Sequence, residues 1–329
     1  MDLKTEYMGM VLKNPVVASA SPLTKDLDGF KQLEDAGAGA IVCHSMFEEQ
    51  ILREAKELEL SLEQGAESFA EALSYFPTAS EIKVGPEEYL NLIARAKSRI
   101  SVPIIGSLNG YTNGGWVNYA KKIQEAGADA IELNIFFLPV NSETTPDDVE
   151  ENYENIVNAV KEHIGIPVAV KVAPYFSALP NMIKCFDQTG VDGIVLFNRF
   201  YQPDINLETL EIEPSVLFSS PYDLRLPLRW IALLSPSVKA SLAASSGIHD
   251  AGDVIKAIMA GADVAMMCSA LLKNGPEHIT TVLTDMEAWM AKKGYASVDA
   301  MKGILSQKKC AHPAAYERAN YMKVLNSIS

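Results

Sequence analysis

A short phrase recurs four times along the chain, and that recurrence limits the fold more than any other feature. It reads AGAGAIVCHS at residues 36–45, AGADAIELN at 126–134, TGVDGIVLFN at 189–198 and AGADVAMMCS at 260–269. Each copy has a glycine where a helical pattern ends, then small residues, then a brief apolar run. Glycine suits the left-handed turn that closes a helix. The apolar run suits a strand buried on both faces of a parallel sheet. A second phrase lies between the copies: NPVVASAS at 14–21, VPIIGSLNG at 102–110, IPVAVKVAP at 166–174 and SVKASLAASSG at 237–247. Three of these have proline at the strand entrance, where no ladder bond needs a donor. The two phrases alternate strictly, which predicts eight buried strands, each followed by a helical or inserted segment.

Helix-period apolar positions or capping residues fill the intervals at 26–35, 117–125, 145–163, 179–187, 251–259 and 277–292. Eight βα units with short strands predict a (β/α)8 TIM barrel over a doubly wound sheet, and no GxGxxG follows the first strand. Two inserts interrupt the regularity, at 46–101 after strand 2 and at 199–227 after strand 6. The second contains INLETLEIEP, whose alternation reads as strand. Both follow strand C-terminal ends, the face on which such barrels place their sites. Long loops there serve as lids, substrate walls or dimer contacts.

Composition narrows the partners. With a net charge of −14, the chain has no basic stretch to neutralise phosphates, which excludes nucleic acid and an anionic membrane surface. Cys43, Cys185, Cys268 and Cys310 are far apart and form no CxxC, so neither a metal site nor an iron–sulfur site is expected. The first residues, MDLKTEYMGM, carry no apolar signal core, which predicts a cytoplasmic protein.

Polar residues collect at the predicted strand ends: Ser19 and Ser21, Cys43 to Ser45, Ser107 and Asn109, Asn134, Asn198, Ser245 to Gly247, and Cys268 with Ser269. Lys171 stands inside the fifth strand between Val170 and Val172. A buried ammonium is costly unless paired. Lys171 therefore either pairs with a carboxylate such as Glu132 on the neighbouring strand, or faces a ligand as a cation or a Schiff-base amine. SSGIHDAGD, after strand 7, combines small residues with a helix start and suits an anion.

These motifs, in this order, resemble the dihydroorotate dehydrogenase family of FMN-dependent barrels, in particular its soluble class 1-like members. NPVVASAS is similar to the family's NPVxxAS first strand, IELNI to its ELNLSCPN fourth strand, VAVKVAPYF to its VKLPPYF fifth strand, ASSGIHDAGD to its GGI phosphate loop, and KKGYASVDAMKG to its closing segment. The resemblance covers roughly residues 1–303. It implies a single FMN-binding barrel domain over 1–303 and a C-terminal extension at 304–329.

The family's reaction, dihydroorotate to orotate in pyrimidine biosynthesis, would then be the reference activity. The resemblance places Ser19, Ala20, Lys171 and Asn198 at the flavin. Ser246, Gly247, Cys268 and Ser269 would lie at its phosphate, and Asn134 at the substrate. It also implies a homodimer and a possible separate electron-transfer partner. Three departures stand out. Phe137 occupies the place of the family's Cys or Ser base. His44 replaces a lysine after strand 2. LSYFPTA at 73–79 replaces the NSMGLPN substrate loop. The flavin site is kept and the substrate site is rebuilt, so the substrate is expected to be a dihydropyrimidine or a similar small molecule. Catalytic roles fall on Lys171 and His44, with Tyr75 and Phe137 at the substrate. The competing readings are a Schiff-base lyase or aldolase working through Lys171, and a flavin-binding subunit without turnover.

Overall fold

The computed structural model describes residues 1–50, 86–110, 115–199, 202–213, 217–317 and 325–326. Eight parallel strands close into a barrel: β1 (Val16–Ala18), β2 (Ala40–Val42), β3 (Ile104–Gly110), β4 (Ala130–Ile135), β5 (Val168–Val172), β6 (Gly193–Leu196), β7 (Ser241–Ser245) and β8 (Val264–Met267). Each pairs with the next in chain order, and β8 pairs with β1. The expected (β/α)8 barrel is therefore the fold.

Helices surround the strands: α1 (Leu27–Asp35), α2 (Pro86–Lys97), α3 (Trp116–Glu125), α4 (Pro146–Lys161), α5 (Leu179–Gln188), α6 (Arg225–Leu234), α7 (Ala251–Ala260), the short α8 (Ser269–Asn274) and α9 (His278–Lys293). Helix α2 falls within the first suggested insert, and α6 starts at the end of the second and runs beyond it, where the sequence suggested no helix. The periodicity of α2 is plain once isolated, with Tyr89, Leu92, Ile93 and Ala96 buried on one side. Pro227 masks α6, yet it sits in the first turn, where a missing N–H costs no helix bond. In the second insert, where INLETLEIEP reads as strand, Asp204–Asn206 and Glu211–Glu213 form two short antiparallel strands joined by a turn. Much of the first insert, including Tyr75, lies outside the described residues.

Successive strand residues point to opposite faces, and the buried residues divide accordingly. Ile41, Ile104, Ile131, Leu133 and Val170 face the helices in one large cluster. Val17, Ala40, Val42, Ile105, Ala130, Ala169, Val195, Ala243, Val264 and Met266 fill the barrel interior. Tyr7, Met8 and Leu12, from the N-terminal hairpin Thr5–Tyr7/Met10–Leu12, belong to that inner cluster. Further along the same inward rows the residues turn polar: Ser107 and Glu132 are fully buried, and Lys171 and Ser245 are only 6% and 7% exposed. The tail past residue 303 hydrogen-bonds to the barrel helices through Leu305 N to Met259 O and Gln307 N to Ala232 O.

The repeated phrase has a structural cause. Its aspartate begins an even-numbered strand and accepts from the first residues of the preceding odd-numbered one. Asp129 Oδ2 accepts from Ile104 N at 2.7 Å, Asp192 Oδ2 from Val168 N at 2.8 Å, and Asp263 Oδ2 from Leu242 N at 2.7 Å. Each is also paired with a lysine: Lys97, Lys161 and Lys302 respectively. The first copy has Gly39 instead. A Cβ there would lie 2.3 Å from Asn14 O. Asn14 does the equivalent work, its Oδ1 accepting from Val16 N at 3.0 Å. Replacing Asp192 with Ala leaves the buried Val168 N–H without its acceptor. We predict a loss of about 1–3 kcal/mol in urea unfolding, with Asp192→Asn losing less. Equal stability of all three proteins would contradict this role.

Candidate active site

The polar ends of the strands meet in a cavity of about 570 Å³, a size suited to a cofactor. Its wall includes Ser19, Ala20 and Ser21 after β1, and Lys171 from β5. It also includes Phe197, Asn198 and Arg199 after β6, Ser245 to Ile248 after β7, and Met266, Cys268, Ser269 and Leu272 from β8 and α8. The structure thus brings Ser19, Ala20, Lys171, Asn198, Ser246, Gly247, Cys268 and Ser269 together around one space. Asn134, Phe137 and His44 lie outside that wall.

Lys171 is held from within the barrel. Its Nζ donates to Glu132 Oε1 at 3.2 Å, and both side chains are almost completely buried. The pairing and the cavity-facing position are both real, so the two sequence readings of this lysine are compatible. An ammonium has three donors, and Glu132 uses one. Gly247 has φ +75°, and a Cβ there would fall 2.2 Å from Leu224 N, so this turn accepts glycine alone. Ser246 before it also has a positive φ, +81°. Burial raises the Cys268 thiol pKa, against the pull of Lys171 and Arg199.

A segment that sequence reasoning missed completes the wall. Leu217, Phe218 and Ser219, from the second insert, border the cavity. Four contacts tie them down. Arg199 Nη1 donates to Leu217 O at 3.0 Å and Ser219 N donates to Ser269 Oγ at 3.0 Å. Ser219 Oγ lies 3.1 Å from His249 Nε2, and Lys273 stands over the Phe218 ring. Desolvation, with Lys273 nearby, lowers the His249 pKa. Arg199 was visible as a charge directly after a strand end. The rest of the segment has no periodicity to betray it.

The other predicted residues have distinct settings. Asn134 is level with Lys171 in the β4–β5 register and with Asn109 in β3–β4. It is 5% exposed, and its Oδ1 has no hydrogen-bond partner among the described residues. Phe137 packs against the helix-side cluster, where Ile131 and Leu133 also point. Phe136 has the inward parity of Glu132 and Asn134. His44 Nδ1 lies 2.9 Å from Thr24 O, and its ring meets Tyr89 edge-on at 5.0 Å. A carbonyl only accepts, so Nδ1 carries the proton and Nε2 the lone pair. Burial lowers the His44 pKa, outweighing the Thr24 bond.

The donor set fits FMN. Lys171, Asn198 and Arg199 offer donors for an electron-rich ring edge. Hydroxyl and backbone groups around Ser246 to Gly247 and Ser269 suit a phosphate. Ala20, Ile248, Met266 and Leu272 supply apolar surface for a planar ring. Among the described residues, no group of three or more His, Cys, Asp or Glu is arranged to hold a metal ion. No helix among them is long and apolar enough to cross a membrane.

Comparison with known proteins agrees with this geometry. A family model described as dihydroorotate dehydrogenase matches residues 80–290. The chain is similar to the dihydroorotate dehydrogenase B (NAD(+)) catalytic subunit of Thermoplasma acidophilum, with 27% identity over 315 residues, covering 92% of this chain and 98% of the relative. The same-named protein of Thermoplasma volcanium is 27% identical over 313 residues, with the same coverage. That of Methanothermobacter thermautotrophicus is 23% identical over 321 residues, again covering 92% and 98%. With its barrel closed, its donor-lined cavity at the strand ends and well over half its length matched by the family model, the chain belongs to the dihydroorotate dehydrogenase family, whose members are FMN-dependent oxidoreductases acting on CH–CH groups.

Proposed function

We propose that this barrel oxidises a small ring substrate, a dihydropyrimidine or a close analogue, at a site rebuilt from the family's dihydroorotate site. The observation that carries this reading is the convergence of Lys171, Asn198, Ser246, Gly247, Cys268 and Ser269 on one cavity; the motif resemblance adds that Phe137 and residues 73–79 stand where the family has its base and substrate loop. FMN, when bound, would supply the hydride acceptor for the oxidation. Lys171 and Asn198 would orient its ring, with Ser19 and Ala20 beside it, and Ser246, Gly247, Cys268 and Ser269 would hold its phosphate. Asn134 offers its unpartnered Oδ1 to a substrate N–H.

A CH–CH oxidation must also remove a proton from the neighbouring carbon. Neither Phe136 nor Phe137 can take it. His44 Nε2 is the base this reading assigns, since its imidazole is neutral at neutral pH. A neutral imidazole is also a poor partner for the carboxylate of dihydroorotate, which favours an uncharged ring. The Glu132 pair disfavours the Schiff-base alternative, because an amine nucleophile must be neutral. A subunit without turnover would bind FMN yet be reduced by no dihydropyrimidine.

The names of the relatives suggest a catalytic subunit that passes electrons to a separate NAD-linked partner. We also propose a homodimer, a cytoplasmic location, and one barrel domain over 1–303 with an extension at 304–329. The dimer proposal rests on the hairpin in the second insert. Ile205 and Ile212 are cross-strand partners, 64% and 72% exposed, beside exposed Leu207 and Leu210. Exposed apolar ribbons of this kind mark association surfaces.

Two outcomes follow. Loss of a positioned base is worth roughly 10²–10⁴ in rate. In anaerobic stopped flow, an uncharged dihydropyrimidine should therefore bleach the flavin at least about a hundredfold faster in the wild type than in His44→Ala, and faster than dihydroorotate, whose carboxylate finds no partner in a neutral imidazole. The faster reaction should weaken below the pKa of His44, where imidazolium accepts no proton, and should fail in His44→Ala. Rapid bleaching by dihydroorotate, unaffected by His44→Ala, would overturn the reading. In sedimentation velocity the wild type should run as a dimer and Ile212→Glu as a monomer. A monomeric wild type would exclude the dimer.

A further inference from the structure

Glu132 has no place on the cavity wall, yet it is the fully buried carboxylate that meets Lys171. In the β4–β5 register Lys171 lies opposite Asn134, and Glu132 opposite Ala169, two residues earlier on each strand. The carboxylate is therefore one interior layer below the ammonium, on the side away from the cavity. Ala169 opposite it and Ala130 beneath it on its own inward row offer no polar group. Its second oxygen, Oε2, has no hydrogen-bond partner among the described residues, so no other such bond competes for its direction. Among the described residues, Cys268 lies in the field of Lys171, and Tyr7 and Tyr89 lie in that of Glu132.

We propose that Glu132 is a positioning residue, which from the layer beneath holds Lys171 as a fixed, charged donor at the cavity wall. This rests on the assignment of Lys171 to the flavin. A lone ammonium in this interior is disfavoured by desolvation, and the carboxylate offsets that penalty. It also draws one N–H downward and leaves two for the ligand. The charge that favours the reduced, negatively charged cofactor thus depends on a residue that does not touch it.

The sign of one measurement separates this role from its rivals. The midpoint potential of bound FMN is measured by anaerobic dye equilibration in wild type, Glu132→Gln, Lys171→Met and the double variant, with the FMN dissociation constant from fluorescence. If Glu132 maintains the lysine's charge, Glu132→Gln lowers the potential as Lys171→Met does. It also weakens FMN binding about tenfold, one pK unit's worth of interaction, and neither value changes further in the double variant. If Glu132 acted only as a distant negative charge, its removal would raise the potential. A rise, no change, or an equal shift in both backgrounds overturns the inference. If Lys171→Met alone leaves potential and affinity unchanged, the assignment of Lys171 to the flavin fails instead. Should Glu132→Gln not fold, folding of the double variant with Lys171→Met still supports the role, because it removes the uncompensated cation. Failure of both to fold makes Glu132 a packing residue and overturns it.

Discussion

The side-chain alternation of eight closed parallel strands is the constraint on which the rest of this structure depends. It sends one set of residues to the helices and the other into the barrel. The inward set begins apolar, with Val17, Ala40, Ile105, Ala130, Ala169 and Ala243, over the plug formed by Tyr7, Met8 and Leu12. Two residues further along their own strands, four of those rows deliver Ser107, Glu132, Lys171 and Ser245. A polar group within a barrel strand would be a liability in the lower layers. In the upper layers it faces a cavity and has work to do. The geometry of the fold thus converts sequence position into chemical role.

Much of this was legible in the chain. The recurring AGADA-like phrase predicts the even-numbered strands, and its aspartate turns out to bind the backbone of the preceding strand. Even the exception has a cause, since Gly39 gives way to Asn14. The polar strand ends pointed to the residues that the structure gathers around one cavity. Helices α2 and α6 were hidden for local reasons, the first at the end of a long insert in the strand repeat and the second behind Pro227. The Leu217–Ser219 segment was hidden because it is held by side chains from three distant elements, and such tertiary contacts leave no periodic mark.

Phe137 shows a subtler limit. Comparison of motifs places it where the family has a base, and that is a statement about alignment. Its packing is a statement about parity, and parity turns it toward the helices with Ile131 and Leu133. Phe136 holds the inward parity instead. Under either description, neither ring can accept a proton. Near the strand ends stand a histidine whose pKa burial lowers, a buried amide acceptor, a lysine tied to a carboxylate and Arg199. In the proposed reading that set orients a ring.

Every role proposed for these residues depends on the cavity being a flavin site. The most direct measurement is the absorption spectrum of the purified protein, followed by heat release and mass spectrometry of its chromophore. One FMN per chain, released intact and rebound by the apo-protein, is the predicted result. A colourless protein that takes up no added FMN would contradict it.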